Sequence, residues 1–90
     1  MDQQELHISS MVVHARSEHL AGVKSKIEQL PGAEIHGESA QGKLVVVLET
    51  LNQGYITDII EKIDSFEHVL GTALVYHQIE QLDSSENDKL

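Results

Sequence analysis

The chain has 90 residues, and its fifteen Asp and Glu outnumber its six Lys and Arg, giving a formal net charge of −9 with the six His neutral. Apolar residues make up 40% of the chain, which is enough for the core of one small domain. The lack of Cys excludes a disulfide scaffold, a cysteine nucleophile and thiolate metal sites. The acidic balance argues against a nucleic-acid partner, because phosphate binding needs clustered Lys and Arg.

The apolar runs are short. The longest, residues 44–48, is far below the roughly 18 residues that span a bilayer, so stable membrane insertion is not expected. Residues 1–5 lack the basic and apolar segments of a secretory signal. We therefore expect a cytoplasmic protein whose acidity serves either a basic partner or solubility alone.

The first half of the chain predicts a strand, a helix and a second strand. Residues 6–15 are rich in β-branched and large apolar side chains, which is typical of a strand. Ser17 is a candidate N-cap for a helix that ends at Pro31-Gly32, and Gly22 inside it suggests a close approach to the sheet. Residues 33–38 alternate as a half-exposed strand does. The apolar stripe of the helix is Leu20, Val23, Ile27 and Leu30.

The second half repeats this order. A turn at residues 39–42 and a β-branched run at 43–49 predict a hairpin with the preceding strand. Asn52 is a candidate cap for a second helix, and residues 69–78 predict the last strand. We expect a frayed segment at 1–5, a domain at 6–79 and a disordered acidic tail at 80–90. The stripe of the second helix is Ile56, Ile59, Ile60, Ile63 and Phe66.

The element order is therefore β-α-β-β-α-β, built from two β-α-β halves in which residues 31–33 and 67–69 precede corresponding strands. Right-handed crossovers applied to this order predict an α+β fold of the ferredoxin-like, split-βαβ type. It has a four-stranded antiparallel sheet of order 4-1-3-2 with both helices on one face.

Two helices leave the other face of the sheet open to water or to a partner, and strand alternation assigns residues to it. The first strand contributes Ile8, Ser10, Val12 and His14, and the third contributes Lys43, Val45, Val47 and Glu49. The edge strand contributes Glu34, His36 and Glu38, and the last strand contributes Ala73, Val75 and His77. Toward the helices, the last strand directs Val69, Thr72, Leu74 and Tyr76.

The predicted open face thus has an apolar centre and a charged rim, which is typical of an interaction surface. Two other interpretations stay open. β-branched residues also occupy strands simply because they suit them, and a homodimer could bury the same face.

No pattern of an enzyme or a metal site occurs in the sequence. The six His lack the spacing that places two metal ligands on one helix face, and no Ser lies in a nucleophile elbow. There is no glycine-rich phosphate loop, and three aromatic residues offer no stacking platform for single-stranded nucleic acid. We expect no catalytic residue, no cofactor and no bound metal.

Four segments together resemble the NapD family, the cytoplasmic chaperones of the catalytic subunit of periplasmic nitrate reductase. They are Ser10-Met11-Val12-Val13, Leu30-Pro31-Gly32, residues 42–49 and, most specifically, Leu74-Val75-Tyr76-His77-Gln78. The resemblance covers about residues 6–78. It implies a ferredoxin-like fold and a protein without enzymatic activity or cofactor.

The resemblance further implies that the chain binds the twin-arginine (Tat) signal peptide of the reductase precursor as a helix against the sheet, and delays export until the cofactors are installed. We expect Tyr76 to have a packing role rather than to contact the peptide. We also expect the chain to be a monomer or a weak homodimer. The alternatives are a small-molecule sensing module and a structural subunit of an enzyme complex. The candidate peptide contacts are Ile8, Ser10, Val12, His14, Val45, Val47, Glu49, Ala73, Val75 and His77, with Glu34 and Glu38 as an acidic rim.

Overall fold

A computed structural model describes residues 4–82 of the chain. A one-turn 3-10 helix, Ser17–His19, precedes the first α-helix. The other elements are β1 (Gln4–Ala15), α1 (Leu20–Glu28), β2 (Ala33–Glu38), β3 (Lys43–Thr50), α2 (Gln53–Asp64) and β4 (Val69–Leu82).

The four strands form one antiparallel sheet of order β2-β3-β1-β4, which is the predicted order. Both helices pack on the same face of this sheet. Alternate residues of the two central strands, Met11, Val13 and Ala15 in β1 and Leu44, Val46 and Leu48 in β3, share one buried cluster with residues of both helices. The predicted ferredoxin-like fold is therefore confirmed.

The first and last strands extend further than the sequence pattern indicated. Their predicted limits were residues 6 and 78, whereas Gln4 pairs with Leu82 and Leu6 pairs with Glu80 in the structure. Residues 80–82, predicted to begin the acidic tail, are thus strand residues held by main-chain hydrogen bonds to β1. The rest of the predicted tail, 83–90, and residues 1–3 lie outside the described residues.

The two helices begin differently. Asn52 caps α2 as predicted, because its side-chain Oδ1 accepts a hydrogen bond of 2.8 Å from the amide of Gly54. The predicted cap at Ser17 is wrong, since Ser17 begins the 3-10 turn. The N-cap of that turn is Arg16 and the N-cap of α1 is His19, and neither side chain makes a capping hydrogen bond.

The loops after the two helices have the same hydrogen-bond pattern, as the two predicted halves imply. Each contains a residue in the left-handed region, Gly32 with φ of 83° and His68 with φ of 76°. This conformation costs a residue other than Gly roughly 1–2 kcal/mol. The imidazole of His68 stacks on that of His19, with ring centroids 3.5 Å apart. The matching amide-to-carbonyl pairs are Ala33–Leu30 and Glu49–Gly32 in one half, and Val69–Phe66 and Arg16–His68 in the other.

Neither helix formed by residues 4–82 has the length and apolar character needed to cross a membrane.

Two glycine substitutions should have opposite effects on stability. A Cβ on Gly32 would lie 2.5 Å from the carbonyl oxygen of Glu49, whereas a Cβ on Gly22 would meet nothing within 4 Å. The suggestion that Gly22 permits close helix–sheet packing is therefore wrong. We expect Gly22→Ala to stabilise the fold by about 0.5–1 kcal/mol through helix propensity, and Gly32→Ala to destabilise it by more than about 1 kcal/mol.

Urea denaturation of the two variants beside the unsubstituted chain checks both signs. A Gly32→Ala midpoint equal to or above that of the unsubstituted chain would contradict the strained geometry of this loop.

Candidate functional site

The candidate site is the open face, which is the face of the sheet opposite the helices. The strand register places side chains on it in rows that cross the sheet. Its members on the central strands are Leu6, Ile8, Ser10, Val12 and His14 of β1 and Lys43, Val45, Val47 and Glu49 of β3. The face assignments predicted for β1 and β3 are confirmed.

The middle of the open face is apolar. Val12 pairs with Val45 on one side and Ala73 on the other, and the next row along pairs Val47 with Ser10. Val47 is half-buried by its own neighbours, whereas Val45 is exposed because its partner in β2 is Gly37, which has no side chain. These side chains form an apolar floor that no helix of residues 4–82 covers.

A β-bulge changes the faces predicted for the end of β4. Ser10 pairs with Tyr76 and Met11 pairs with Leu74, so Val75 is the extra residue. Val75 has no partner in β1 and is 64% exposed. Ala73 lies on the open face as predicted, but beyond the bulge the alternation is inverted: His77 faces the helix layer and Tyr76 faces outward.

His77 belongs instead to a polar cluster on the helix side of the sheet. Its Nδ1 shares a hydrogen bond of 2.8 Å with Oγ of Ser9, which is completely buried. The ring of His7, 4% exposed, lies 5.7 Å from the ring of His77. The prediction that His77 lies on the open face is therefore wrong, and its hydrogen bond with Ser9 joins β4 to β1.

A second irregularity removes Glu38 from the proposed acidic rim. The register of β2 shifts between Ile35 and Gly37, so Glu38 pairs with the buried Leu44 and lies on the helix side. Its carboxylate accepts a hydrogen bond of 2.6 Å from Nζ of Lys24 on α1. This hydrogen bond and the negative charge raise the pKa of Lys24, and the pair ties α1 to β2.

The remaining acidic groups of the open face are Glu34, Glu49 and Glu80. Glu34 pairs with Val47 in the sheet, and its carboxylate lies 3.1 Å from Nε2 of His36. Glu49 is exposed at the end of β3 beside Ile8. Glu80 pairs with Leu6 on β4. It was not among the predicted site residues because the sequence assigned it to the tail.

A hydrogen-bonded row runs along the open face of β4. The Tyr76 hydroxyl donates to Oε1 of Gln78 over 2.6 Å, and Nε2 of Gln78 donates to Glu80 over 3.0 Å. Tyr76 remains 52% exposed. The row places an aromatic face and a carboxylate beside the apolar floor. The alternation of Tyr76, Gln78 and Glu80 is visible in the sequence, but the face of the sheet that these residues occupy depends on the bulge.

Among residues 4–82, no three His, Asp or Glu side chains converge closely enough to hold a metal ion.

Comparison with known proteins identifies the family. The model of the family described as "NapD protein" matches residues 6–81, which is the sheet and both helices. The chain belongs to the NapD family. Two NapD relatives are named "Chaperone NapD". The one from Escherichia coli K12 is 33% identical over 75 residues, covering 82% of this chain and 86% of the relative. The one from Paracoccus pantotrophus is 39% identical over 82 residues, covering 90% and 71%.

Solved structures agree with the NapD assignment. The solution structure of the E. coli protein, described as the Tat proofreading chaperone protein NapD, matches with a TM-score of 0.75 and 34% identity over 81% of this chain and 78% of that one. A transcriptional regulator of the AsnC family from Pyrococcus furiosus matches with a TM-score of 0.60 over 90% of this chain and 55% of that one. At 16% identity, the second likeness shows a shared fold alone.

Two neighbouring serines separate the roles of the two sheet faces. Ser9 is buried and bonded to His77, whereas the half-buried Ser10 lies on the open face. We expect Ser9→Ala to lower stability by about 1 kcal/mol, because His77 loses its partner. That loss corresponds to a decrease of roughly 4–8 °C in Tm for a chain of this size.

The matched control is Ser10→Ala, which should leave Tm nearly unchanged. Equal thermal midpoints for the two variants would contradict a stabilising role for the Ser9–His77 hydrogen bond.

Proposed function

We propose that this protein is a Tat proofreading chaperone that binds the signal peptide of the periplasmic nitrate reductase precursor on the open face. Binding delays export of the precursor until its cofactors are installed. The observation that carries the proposal is the apolar floor around Val12, Val45 and Val47 on the side away from the helices. Membership of the NapD family, whose relatives are named chaperones, supports it.

Apolar contact would supply most of the affinity. A signal peptide has a basic twin-arginine segment followed by an apolar stretch, and as a helix it can lay an apolar side on the sheet. Covering roughly 400 Å² of apolar surface gives about 10 kcal/mol at 25 cal/mol per Å². Peptide ordering and the loss of free motion consume much of this.

Charge would raise the rate of association and orient the peptide. An exposed ion pair contributes only about 0–1 kcal/mol, so Glu34 and Glu49 cannot dominate the binding energy. The net charge of −9 nevertheless draws a basic peptide toward the protein and disfavours acidic competitors. A peptide that is bound to the chaperone is withheld from the translocase by mass action, which requires no catalytic step.

This function is favoured over the sensing module considered from the sequence. The likeness to the Pyrococcus regulator lies in the fold, whereas the likeness to NapD relatives extends through the sequence of all four strands. A thermal shift with the twin-arginine peptide but not with free amino acids would agree with the chaperone function.

Introducing a charge into the apolar floor should abolish tight binding. In Val47→Glu, a carboxylate would lie under the docked helix without a partner, so we expect Kd for a synthetic twin-arginine signal peptide to rise at least about tenfold, or 1.4 kcal/mol. Isothermal titration calorimetry measures the change, and far-UV circular dichroism should remain that of the unsubstituted chain.

Thr57→Glu is the matched control, because it adds the same charge at an exposed position on α2. Peptide affinities that fall equally in both variants would argue for a general charge effect and against docking on the open face.

Removing the Glu49 charge should act mainly on the rate at which the peptide associates. We expect Glu49→Gln to lower the association rate and weaken its dependence on salt, with a smaller change in the dissociation rate, because rim charges steer rather than hold a ligand. Stopped-flow fluorescence at several NaCl concentrations measures both rates. Glu61→Gln, an exposed position on α2, is the control. The same salt dependence for Glu49→Gln and the unsubstituted chain would remove the electrostatic part of the proposal.

A further inference from the structure

The open face has a charge direction along β1, because a cation lies near one end and carboxylates lie near the other. The register places Lys43 beside His14 in the row at one end of the face. At the other end, Glu49 lies beside Ile8, and Glu80 lies beside Leu6 one row further. We call these the Lys43 end and the acidic end; Glu34 pairs with Val47, in the row midway between them. The apolar floor lies between the two ends.

The two ends are far enough apart to act separately. His14 and Leu6 are separated by eight residues of β1, which at about 3.4 Å per residue places their rows about 27 Å apart. The Debye length at physiological salt is about 8 Å. A charge at one end of a bound ligand is therefore influenced by its own end of the face. A helix of about 18 residues has this length, at 1.5 Å per residue.

The hydrogen-bonded row of β4 runs from the middle of the open face, where Tyr76 pairs with Ser10, to the acidic end, where Glu80 pairs with Leu6. Gln78 bridges the Tyr76 hydroxyl and the Glu80 carboxylate, which restrains both side chains along one edge of the apolar floor. An exposed aromatic face and a carboxylate are the two groups on which a guanidinium stacks and forms hydrogen bonds. Because they are separate anchors, they can receive two adjacent arginines whose positive charges repel each other.

From this charge direction we infer that the peptide lies along β1 in one orientation, with its basic segment over the acidic end and its apolar segment running toward the Lys43 end. The reverse orientation would place two arginines beside Lys43 and leave Glu49 and Glu80 without a cation. The inference rests on the proposed function and adds the polarity of the bound peptide, with Tyr76 and Glu80 as contacts of the basic segment.

Paramagnetic relaxation in NMR spectra tests the orientation. The chain has no Cys, so a nitroxide on a single Cys of the synthetic twin-arginine peptide is the only spin label in the complex. With the label before the arginines, we expect loss of the amide signals of Ile8, Glu49 and Gln78. With the label after the apolar stretch, we expect loss of the signals of His14, Lys43 and Gly71.

The reverse pattern, or equal losses at both ends with either label, would overturn the inference while leaving peptide binding intact. If the unsubstituted chain does not bind the peptide at all, the proposed function fails and the inference fails with it.

A charge exchange gives an independent test. The double variant Lys43→Glu and Glu49→Lys keeps the net charge and both residue types, but exchanges the charges at the two ends of β3. We expect the selective loss of signals with each label to disappear or to reverse. Retention of the original pattern, with peptide still bound, would show that these charges do not set the orientation and would overturn the inference. The exchange of Lys62 and Glu61, two exposed residues of α2, is the control and should leave the pattern unchanged.

Discussion

A four-stranded sheet has two faces, and α1 and α2 cover one of them. The role of each regularly paired strand residue follows from the face that its side chain occupies. In residues 7–15 of β1 and 44–48 of β3, the side chains directed at the helices are buried, and those between them lie on the open face. The same alternation that builds the core therefore also builds the apolar floor. Substitution on the open face therefore removes no core contact, whereas Ser9 and His77 contribute to stability through their hydrogen bond.

The central part of the molecule could be predicted from the sequence because its alternation is regular. The faces of β1 and β3 follow from hydrophobicity and period, and the sheet order follows from the handedness of the crossovers. The helix caps were less predictable. The predicted cap at Asn52 was correct, but the predicted cap at Ser17 was not, because a 3-10 turn precedes α1. Local cap chemistry alone does not reveal an additional turn.

The errors in the predicted site lie on the two edge strands, and each comes from a bulge. One additional residue at Val75 exchanged the faces of Tyr76 and His77, and a shift near Gly37 directed Glu38 to Lys24. A bulge adds one residue to one strand without a distinctive residue type, so a pattern of period two contains no sign of it. Pairing with the neighbouring strand is what defines it. Glu80 was missed for a different reason, because its acidic surroundings assigned it to the tail, whereas it pairs with Leu6 in β4.

The bulge at Val75 has an evolutionary consequence. Since β4 is an edge strand, insertion or deletion of one residue there leaves the pairing among the other three strands unchanged. Such an event would exchange the side chains on the open face for those on the helix side along the whole part of β4 beyond the bulge. Under the proposed function, one insertion or deletion would therefore change several peptide contacts at once, whereas each point substitution on the apolar floor changes one.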